Sequence, residues 1–243
     1  KAYDLLVQAE AGFLSVTGNG DDMVKSGISI ADIAAGTQAH SAILAALIQR
    51  SKTGSGSNID ISMLEAMVEW MGFPLYYAYD GAEPPARTAT DHASIYPYGA
   101  FSTGDDKVIM LGIQNEREWE AFCCDVMEQA TLISDERFKA NTLRSDNREQ
   151  LRKIIQQVFA GLTAQQLSGK LDAAQIAYAN VNDMQAVWQH PQLQAIQRII
   201  EVDTPAGSVS GFKPPGNNSS FEPSLGPVPS VGEHTREILA ELG

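Results

Sequence analysis

The chain has 243 residues and a formal net charge of −13, with 44% hydrophobic and 19% charged residues. This balance excludes a disordered chain, because apolar residues are frequent and no block of charge dominates. No run approaches the ~20 uninterrupted apolar residues of a membrane span, and an acidic chain lacks the basic surface that nucleic acid requires. We therefore expect neither a membrane nor a nucleic acid as a partner, and one large domain or two small ones.

The two cysteines, Cys123 and Cys124, are adjacent in a run that has the pattern of a helix. Neighbouring side chains of a helix point about 100° apart, which is a poor geometry for a structural disulfide. Unpaired cysteines are typical of reducing compartments, and no secretory leader is visible. The sequence therefore predicts two buried thiols and a cytoplasmic protein.

The first third of the chain is predicted to be mostly helical. Helices are expected over residues 4–15, 33–50 and 63–79, and a Gly- and Asp-rich loop over residues 17–25. Residues 33–50 are dominated by Ala, Ile and Leu, which predicts a helix that is buried on most sides. Residues 58–62 alternate in the way of a strand. The first helix is expected to bury the apolar stripe of Leu5, Leu6, Ala9, Gly12 and Phe13.

The rest of the chain mixes helices with short strands. Pro84 and Pro85 begin a long loop, and a hairpin follows over residues 98–111 with its turn at residues 104–106. A short antiparallel pair is expected at residues 199–202 and 208–210. The Pro- and Gly-rich tail should be extended over residues 213–230, before a helix at 233–242. The remaining helices are predicted over residues 116–127, 148–159, 164–171 and 181–188, the last ended by Pro191.

One carboxylate has an unusual setting. Asp32 lies in an otherwise uncharged run, residues 27–36, at the start of the predicted buried helix. A carboxylate at this place can simply complement the helix dipole and cap free N–H groups. The apolar setting also suits a nucleophile, because little water competes and backbone N–H groups can hold a developing charge. The four histidines form no spaced ligand pair, so no metal site is predicted.

Several segments resemble the CaiB/BaiF family, the class III CoA-transferases that include formyl-CoA transferase. They follow the family's order and cover nearly the whole chain, so that together they are far more specific than any one alone. The matching segments are residues 1–9, 13–18, 30–32, 43–47, 52–56, 60–66, 97–99 and 232–235.

The resemblance implies that Asp32 is the catalytic nucleophile. Its carboxylate would attack an acyl-CoA thioester to give an aspartyl mixed anhydride, and then carry CoA as an aspartyl thioester to a carboxylic acid acceptor. Exchanging anhydride for thioester conserves an activated acyl bond without ATP. Coenzyme A is thus expected as a substrate, and no metal is expected.

The resemblance also implies four further site residues. Lys1 matches a position that contacts CoA, where a cation can meet a phosphate. Tyr3 and Asp4 match positions near the catalytic pocket, and Met63 matches a residue that lines the pantetheine channel. Purely structural interpretations stay open: a solvated Lys1, a helix-capping Asp4 and a core-packing Met63.

The fold implied by the resemblance is α/β. Residues 1–90 would be the helical, catalytic part of a Rossmann-like large CoA-binding domain, residues 91–200 a small α+β domain, and residues 201–243 an extended return segment with a C-terminal helix. Family protomers form interlaced homodimers, which implies a large shared surface. They also carry a further domain's worth of sequence before the position of Lys1, so we expect this chain to be a C-terminal portion.

The acceptor is less defined than the reaction. Residues 92–99 resemble transferases that use succinyl-CoA and a small dicarboxylate, whereas formyl-CoA transferases carry a glycine run in a mobile loop. Residues 81–94 hold one glycine and two prolines, which disfavours oxalate with formyl-CoA. His92 or Arg87 is a candidate contact for the substrate carboxylate.

The sequence leaves two other functions open. The first is α-methylacyl-CoA racemase, on the same fold. Racemisation needs two bases, and the region that supplies the racemase histidine has none here. The second is an inactive chain whose role is to interlock subunits.

Overall fold

The helices and strands fall into two units, Lys1–Asn180 and Val181–Gly243. The computed structural model describes residues 1–223 and 225–243. Within the first unit, one hydrophobic cluster is built from residues 7–71 and another from residues 96–176. The domain limits expected at residues 90 and 200 stay a prediction.

The first predicted helix is divided in two. Helix α1 is Asp4–Glu10 and helix α2 is Phe13–Val16. Between them Gly12 has a φ of +79°, a left-handed conformation that glycine adopts without steric strain. The expected apolar stripe is wrong for α1, because Leu5 and Leu6 are exposed and the buried residues are Val7 and Gln8. The side that packs against the next long helix decides which residues are buried.

A two-residue hairpin and a long helix follow. Strands β1, Gly18–Asn19, and β2, Asp22–Met23, pair in the segment that was expected to be a loop. Helix α3 is Ile30–Thr53, and Gly54 ends it with a φ of +72°. It begins three residues before the predicted start and ends three residues after the predicted end.

The prediction that α3 is buried on most sides is wrong for this chain. Only Ala31 and Ala34 are buried, because α1 and the helix that follows α3 cover only part of its surface and the rest lies open. By length and composition alone, α3 is apolar enough to cross a membrane, so the expectation of no membrane span stays a prediction. The exposed large apolar residues of α3 are Ile33, Ile43, Leu44, Leu47 and Ile48.

The strand expected over residues 58–62 does not form, and this prediction is wrong. The segment is extended, but a strand needs a hydrogen-bonded neighbour, and none pairs with it among the described residues. Helices α4, Met63–Trp70, and α5, Gly72–Tyr77, replace the single helix expected over 63–79. Ser62 caps α4 by accepting a hydrogen bond from the Glu65 N–H, and α4 packs against α3.

The predicted hairpin is confirmed and gains a third strand. Strands β3, Tyr98–Ser102, and β4, Val108–Gly112, are antiparallel, with Ala100 opposite Met110. Strand β5, Tyr178–Asn180, pairs with the other side of β4. Three residues are too few for alternation to be recognised in the sequence, so β5 was not predicted.

Helices cover this sheet and fill the larger hydrophobic cluster. Helix α8 has the bounds that its pattern predicts, and its stripe of Leu151, Ile155 and Phe159 is buried. Helix α6 continues into a π-helical turn at Phe122–Val126. Short helical segments at Ala130–Ile133 and α7 were not predicted. The helices here are α6, Glu116–Ala121; α7, Asn141–Asp146; α8, Arg148–Phe159; and α9, Ala164–Ala173.

The second unit holds the predicted antiparallel pair, which is confirmed and is longer than expected. Strands β6, Ile199–Thr204, and β7, Gly207–Phe212, form a hairpin, and the Trp188 ring stacks on Phe212. Pro191 follows the helix that ends at Trp188, as predicted, and is itself the first residue of another helix. The tail after β7 contains no helix or strand among its described residues before α12, and the part of that prediction at Ser224 lies outside them. The helices are α10, Met184–Trp188; α11, Pro191–Ala195; and α12, Thr235–Leu242.

Candidate functional site

Asp32 lies in the first turn of α3. Unpaired N–H groups give this end of a helix a partial positive charge, which favours a carboxylate and any negative charge that develops on it. The side chain is exposed, which differs from the water-poor setting that the apolar sequence predicts. Because it is exposed, its carboxylate is open to a substrate.

Asp4 binds the start of the same helix. Its Oδ1 accepts a hydrogen bond of 2.8 Å from the N–H of Ala31, the residue before Asp32. A carboxylate at a helix N-terminus stabilises the helix through both the hydrogen bond and the dipole. The capping interpretation of Asp4 is confirmed, with the difference that Asp4 caps α3 rather than its own helix.

Gln8 completes this contact and was missed in the sequence. Its amide is fully buried, and its Nε2 donates a hydrogen bond of 2.7 Å to Oδ2 of Asp4. Its Oε1 accepts a hydrogen bond of 2.9 Å from the Ser26 N–H. A glutamine four residues after an aspartate on one helix places the two side chains side by side, and this spacing was the available signal.

The other expected site residues lie nearby or at the surface. Met63 is half-buried and packs in the cluster that contains Val7 and Ala31. Lys1 and Tyr3 are exposed before α1, with the Lys1 Nζ 5.5 Å from the centre of the Tyr3 ring. The structure therefore places Asp4 against the turn that holds Asp32, and Met63 against the hydrophobic cluster to which Ala31 of that turn belongs. The roles of all five residues toward a substrate stay predictions.

The long loop after α5 is bound to the β1–β2 hairpin. Arg87 Nε donates to the Gly20 carbonyl at 2.6 Å, and its Nη1 donates to the Ser15 carbonyl at 2.9 Å. The His92 Nδ1 accepts hydrogen bonds from the N–H groups of residues 94 and 95, and its ring stacks on Tyr98. Both candidate carboxylate contacts thus also have structural roles.

A cavity of 430 Å³ lies between this loop and α8. Three arginines line it, Arg87, Arg148 and Arg152, together with the carboxylates of Asp91 and Glu149, which leaves one net positive charge. Arg148 Nη2 donates to the Ala93 carbonyl at 3.0 Å, whereas Arg152 pairs with Asp91. The cavity therefore carries a local positive charge in an acidic protein, which favours an anionic group.

No group of three or more His, Cys, Asp or Glu side chains is placed to hold a metal ion in the part of the chain that the structure describes. The chemistry available at the start of α3 is that of an exposed carboxylate on a helix dipole. Such a carboxylate is accessible to an electrophilic carbonyl and can act as a nucleophile when it is ionised.

Comparisons with known proteins identify the family of this chain. Residues 1–235 match the family described as CoA-transferase family III, and the chain belongs to this family. An acyl-CoA transferase of Fusarium pseudograminearum is 34% identical over 99% of this chain, and the succinyl-CoA:glutarate CoA-transferase of Homo sapiens is 32% identical over 99%. The crystal structure of a CaiB/BaiF family protein from Brucella suis superposes over the whole chain with a TM-score of 0.83 at 27% identity.

The resemblance seen in the sequence is thereby confirmed, as is the α/β fold of a family III CoA-transferase. The chain spans about half of the two relatives, 54% and 55% of their lengths, and 63% of the Brucella protein. The names of both relatives describe transferases of CoA or acyl-CoA.

Proposed function

We propose that the protein transfers CoA from an acyl-CoA donor, such as succinyl-CoA, to a small dicarboxylic acid through covalent intermediates on Asp32. The observation that carries the proposal is the exposed Asp32 carboxylate in the first turn of α3. The human relative, whose name gives succinyl-CoA and glutarate as its substrates, supports the choice of donor and of acceptor class.

The steps conserve one activated acyl bond throughout. A carboxylate oxygen of Asp32 attacks the donor's thioester carbonyl, and the carbon–sulfur bond breaks to release CoA thiolate. The thiolate attacks the aspartyl carbonyl of the mixed anhydride, which gives an aspartyl-CoA thioester and frees the donor acid. An acceptor carboxylate then attacks this thioester to form a second anhydride. The released thiolate takes the acceptor acyl group and restores the Asp32 carboxylate.

The helix start assists the steps that carry negative charge. Each attack places charge on an oxygen close to the first turn of α3, where oriented N–H groups stabilise it without reorganisation. Asp4 occupies the Ala31 N–H, so the turn is fixed before the substrate arrives. The contacts proposed for Lys1, Tyr3 and Met63 with CoA extend this site to the segment before α1 and to the start of α4.

We further propose that the cationic cavity binds the second carboxylate of the acceptor. Arg148 is held by backbone carbonyls, so a substrate carboxylate would meet an unneutralised guanidinium. We expect Arg148→Met to raise the KM for glutarate about tenfold or more, with little change for a monocarboxylate acceptor. Arg117→Met, at an exposed arginine, is the matched control. Equal effects on both acceptors would contradict this placement.

Covalent catalysis is tested on protein made from the complete coding sequence. Asp32→Ala and Asp32→Asn should reduce CoA exchange to the buffer background while the circular dichroism spectrum is retained. Incubation of the wild type with succinyl-CoA and then hydroxylamine should convert Asp32 to a hydroxamate, which peptide mass spectrometry detects. Exchange that persists in Asp32→Asn, or a label on another residue, would refute the assignment.

The two alternatives have their own readouts in the same preparation. Loss of α-deuterium from a 2-methylacyl-CoA without any acceptor acid would identify a racemase. No exchange with any acyl-CoA and acid pair would favour the inactive, subunit-interlocking role.

We also propose an interlaced homodimer in a reducing, cytoplasmic compartment. The exposed apolar side chains of α3 support a further protein surface over that helix, and the unpaired Cys123 and Cys124 suit a reducing compartment. Light scattering that gives the mass of one protomer would contradict the dimer. Recovery of the protein only with membranes would contradict the cytoplasmic location.

A further inference from the structure

We propose that Gln8 is a positioning residue for the nucleophile, through a relay that runs from Ser26 through Gln8 and Asp4 to the Ala31 N–H. The inference rests on the proposed role of Asp32, because it assigns to Gln8 the task of fixing the turn in which Asp32 stands. The relay joins three separate segments of the chain: helix α1, the loop before α3, and the first turn of α3.

Both polar atoms of the Gln8 amide have a hydrogen-bond partner. The amide is fully buried, and burial of an amide is unfavourable unless its hydrogen bonds are made. Its Oε1 accepts from the Ser26 N–H at 2.9 Å, and its Nε2 donates to Asp4 Oδ2 at 2.7 Å. The amide therefore has one orientation, with the nitrogen toward Asp4.

Asp4 is held from both of its oxygens as a result. Oδ2 receives the Gln8 hydrogen bond, and Oδ1 receives the Ala31 N–H at 2.8 Å. Without Gln8, the carboxylate can rotate about its χ2 angle or turn to water, and the Ala31 N–H loses its fixed acceptor. The first turn of α3 would then fray, as helix ends without caps do. Asp32 follows Ala31 directly, so fraying displaces the Asp32 carboxylate from its attacking position.

Gln8→Glu tests the relay, because its side chain can donate a hydrogen bond to Asp4 only when it is protonated. A protonated glutamate has the shape of glutamine, and its O–H can donate to Asp4 while its carbonyl accepts from Ser26. An ionised glutamate has no donor and repels Asp4. Burial and the neighbouring carboxylate both raise the pKa of a glutamate introduced here. The variant should therefore be defective at pH 8 and recover as the pH falls to 5.5.

The expected results are specific to kcat. At pH 8, Gln8→Glu and Gln8→Leu should lower kcat for CoA exchange about tenfold or more, as small misplacements of reacting groups do, with the KM for acyl-CoA unchanged within about twofold. At pH 5.5, Gln8→Glu should return to within about threefold of the wild type, and Gln8→Leu should not. Gln49→Glu, at an exposed position on α3, is the matched control and should follow the wild type at both pH values.

Amide hydrogen exchange of the peptide covering residues 28–36 gives a second readout, independent of turnover. The relay predicts faster exchange in Gln8→Leu at both pH values, and in Gln8→Glu only at pH 8, after correction for the intrinsic pH effect. Unchanged kcat in both Gln8 variants, beside an active wild type and an inactive Asp32→Asn, overturns the positioning role alone. A wild type without exchange activity overturns the proposed function and the positioning role with it. A kcat loss in Gln8→Glu that is equal at both pH values also overturns the relay.

Discussion

Arg144 is the charged residue whose removal should most destabilise the sheet-bearing part of the first unit. Its side chain is 1% exposed, and its guanidinium lies 4.7 Å from the centre of the Trp119 ring. Nε donates to the Tyr96 carbonyl at 3.0 Å, and Nη1 donates to the Phe138 carbonyl at 3.0 Å. Nη1 and Nη2 each donate to one oxygen of Glu116 at 2.9 Å.

The expected loss for Arg144→Met follows from which of these partners can reach water. Tyr96 and Phe138 are fully buried residues, so their carbonyls lose a donor at about 1–2 kcal/mol each. The stacking on Trp119 contributes about 0.5–1 kcal/mol more. Glu116 is 55% exposed, so it regains water and its share stays below ~1 kcal/mol. The free energy of unfolding should therefore fall by about 3 kcal/mol.

Hydrogen exchange read on the peptide that covers β3 and β4 measures this loss in the intact protein. A loss of about 3 kcal/mol accelerates exchange of the most protected amides roughly a hundredfold. Arg144→Lys should lie between the wild type and Arg144→Met, because an ammonium reaches fewer of the partners. Arg117→Met, at an exposed arginine one residue after Glu116, should change protection by less than ~0.5 kcal/mol.

The pH dependence provides a second check on the same residue. The hydrogen bond from Arg144 lowers the pKa of Glu116 below its ordinary value. The stabilisation is therefore present above the unfolded pKa of about 4.3 and is lost as the pH falls through the lower, folded value. Arg144→Met should remove this acid-dependent loss. Equal protection in Arg144→Met and Arg117→Met would refute the reasoning.

Two further predictions concern a glycine and a carboxylate. A Cβ on Gly104 would overlap the Ala160 carbonyl oxygen, so Gly104→Ala should lower the thermal midpoint and reduce the free energy of unfolding by about 1–3 kcal/mol. Gly169→Ala, in open space on α9, should raise the free energy of unfolding by about 0.5–1 kcal/mol. Similar effects of the two variants would refute this prediction. The hydrogen bond from Arg137 lowers the pKa of Asp135 to about 2, so its stabilisation is present above about pH 4 and is lost toward pH 2. Asp135→Asn should flatten the fall in stability over this range, and an unchanged slope in acid titrations followed by circular dichroism would contradict it.

Elements with their own local signals could be predicted from the sequence. Helix α8 has the predicted bounds, because Leu151, Ile155 and Phe159 recur every four positions and all three are buried. The β3–β4 hairpin is set by a turn at residues 104–106 between two apolar runs. In both cases the residues that define the pattern are also the residues that the fold buries.

Elements whose state depends on a distant partner were predicted less well. The composition of α3 predicts a helix, and it forms, but composition does not say which surface covers it. Residues 58–62 have the alternation of a strand, yet they stay single because no strand of the described chain pairs with them. Burial and pairing are decided by neighbours in space, which a local pattern does not contain.

The candidate site shows the same division. The uncharged setting and the family resemblance both indicate Asp32, and the resemblance indicates Asp4. Neither indicates Gln8, because its partners are Asp4 on the same helix and Ser26 eighteen residues away. A buried glutamine on an otherwise apolar side of a helix is a signal of such a contact. The apolar stripe predicted for α1 obscures this signal, because it assigns Leu5 and Leu6 to the buried side.

The placement of arginines explains how so acidic a protein keeps local cationic sites. Arg144 and Arg137 donate to carboxylates, so their charges are largely neutralised. Arg87 and Arg148 are held by backbone carbonyls instead. A carbonyl orients a guanidinium without cancelling its charge, so both arginines keep a positive potential in the cavity that they line. The overall charge of −13 opposes anions at long range, but salt screens that field beyond about 10 Å, so the local arginines determine the sign of the potential inside the cavity.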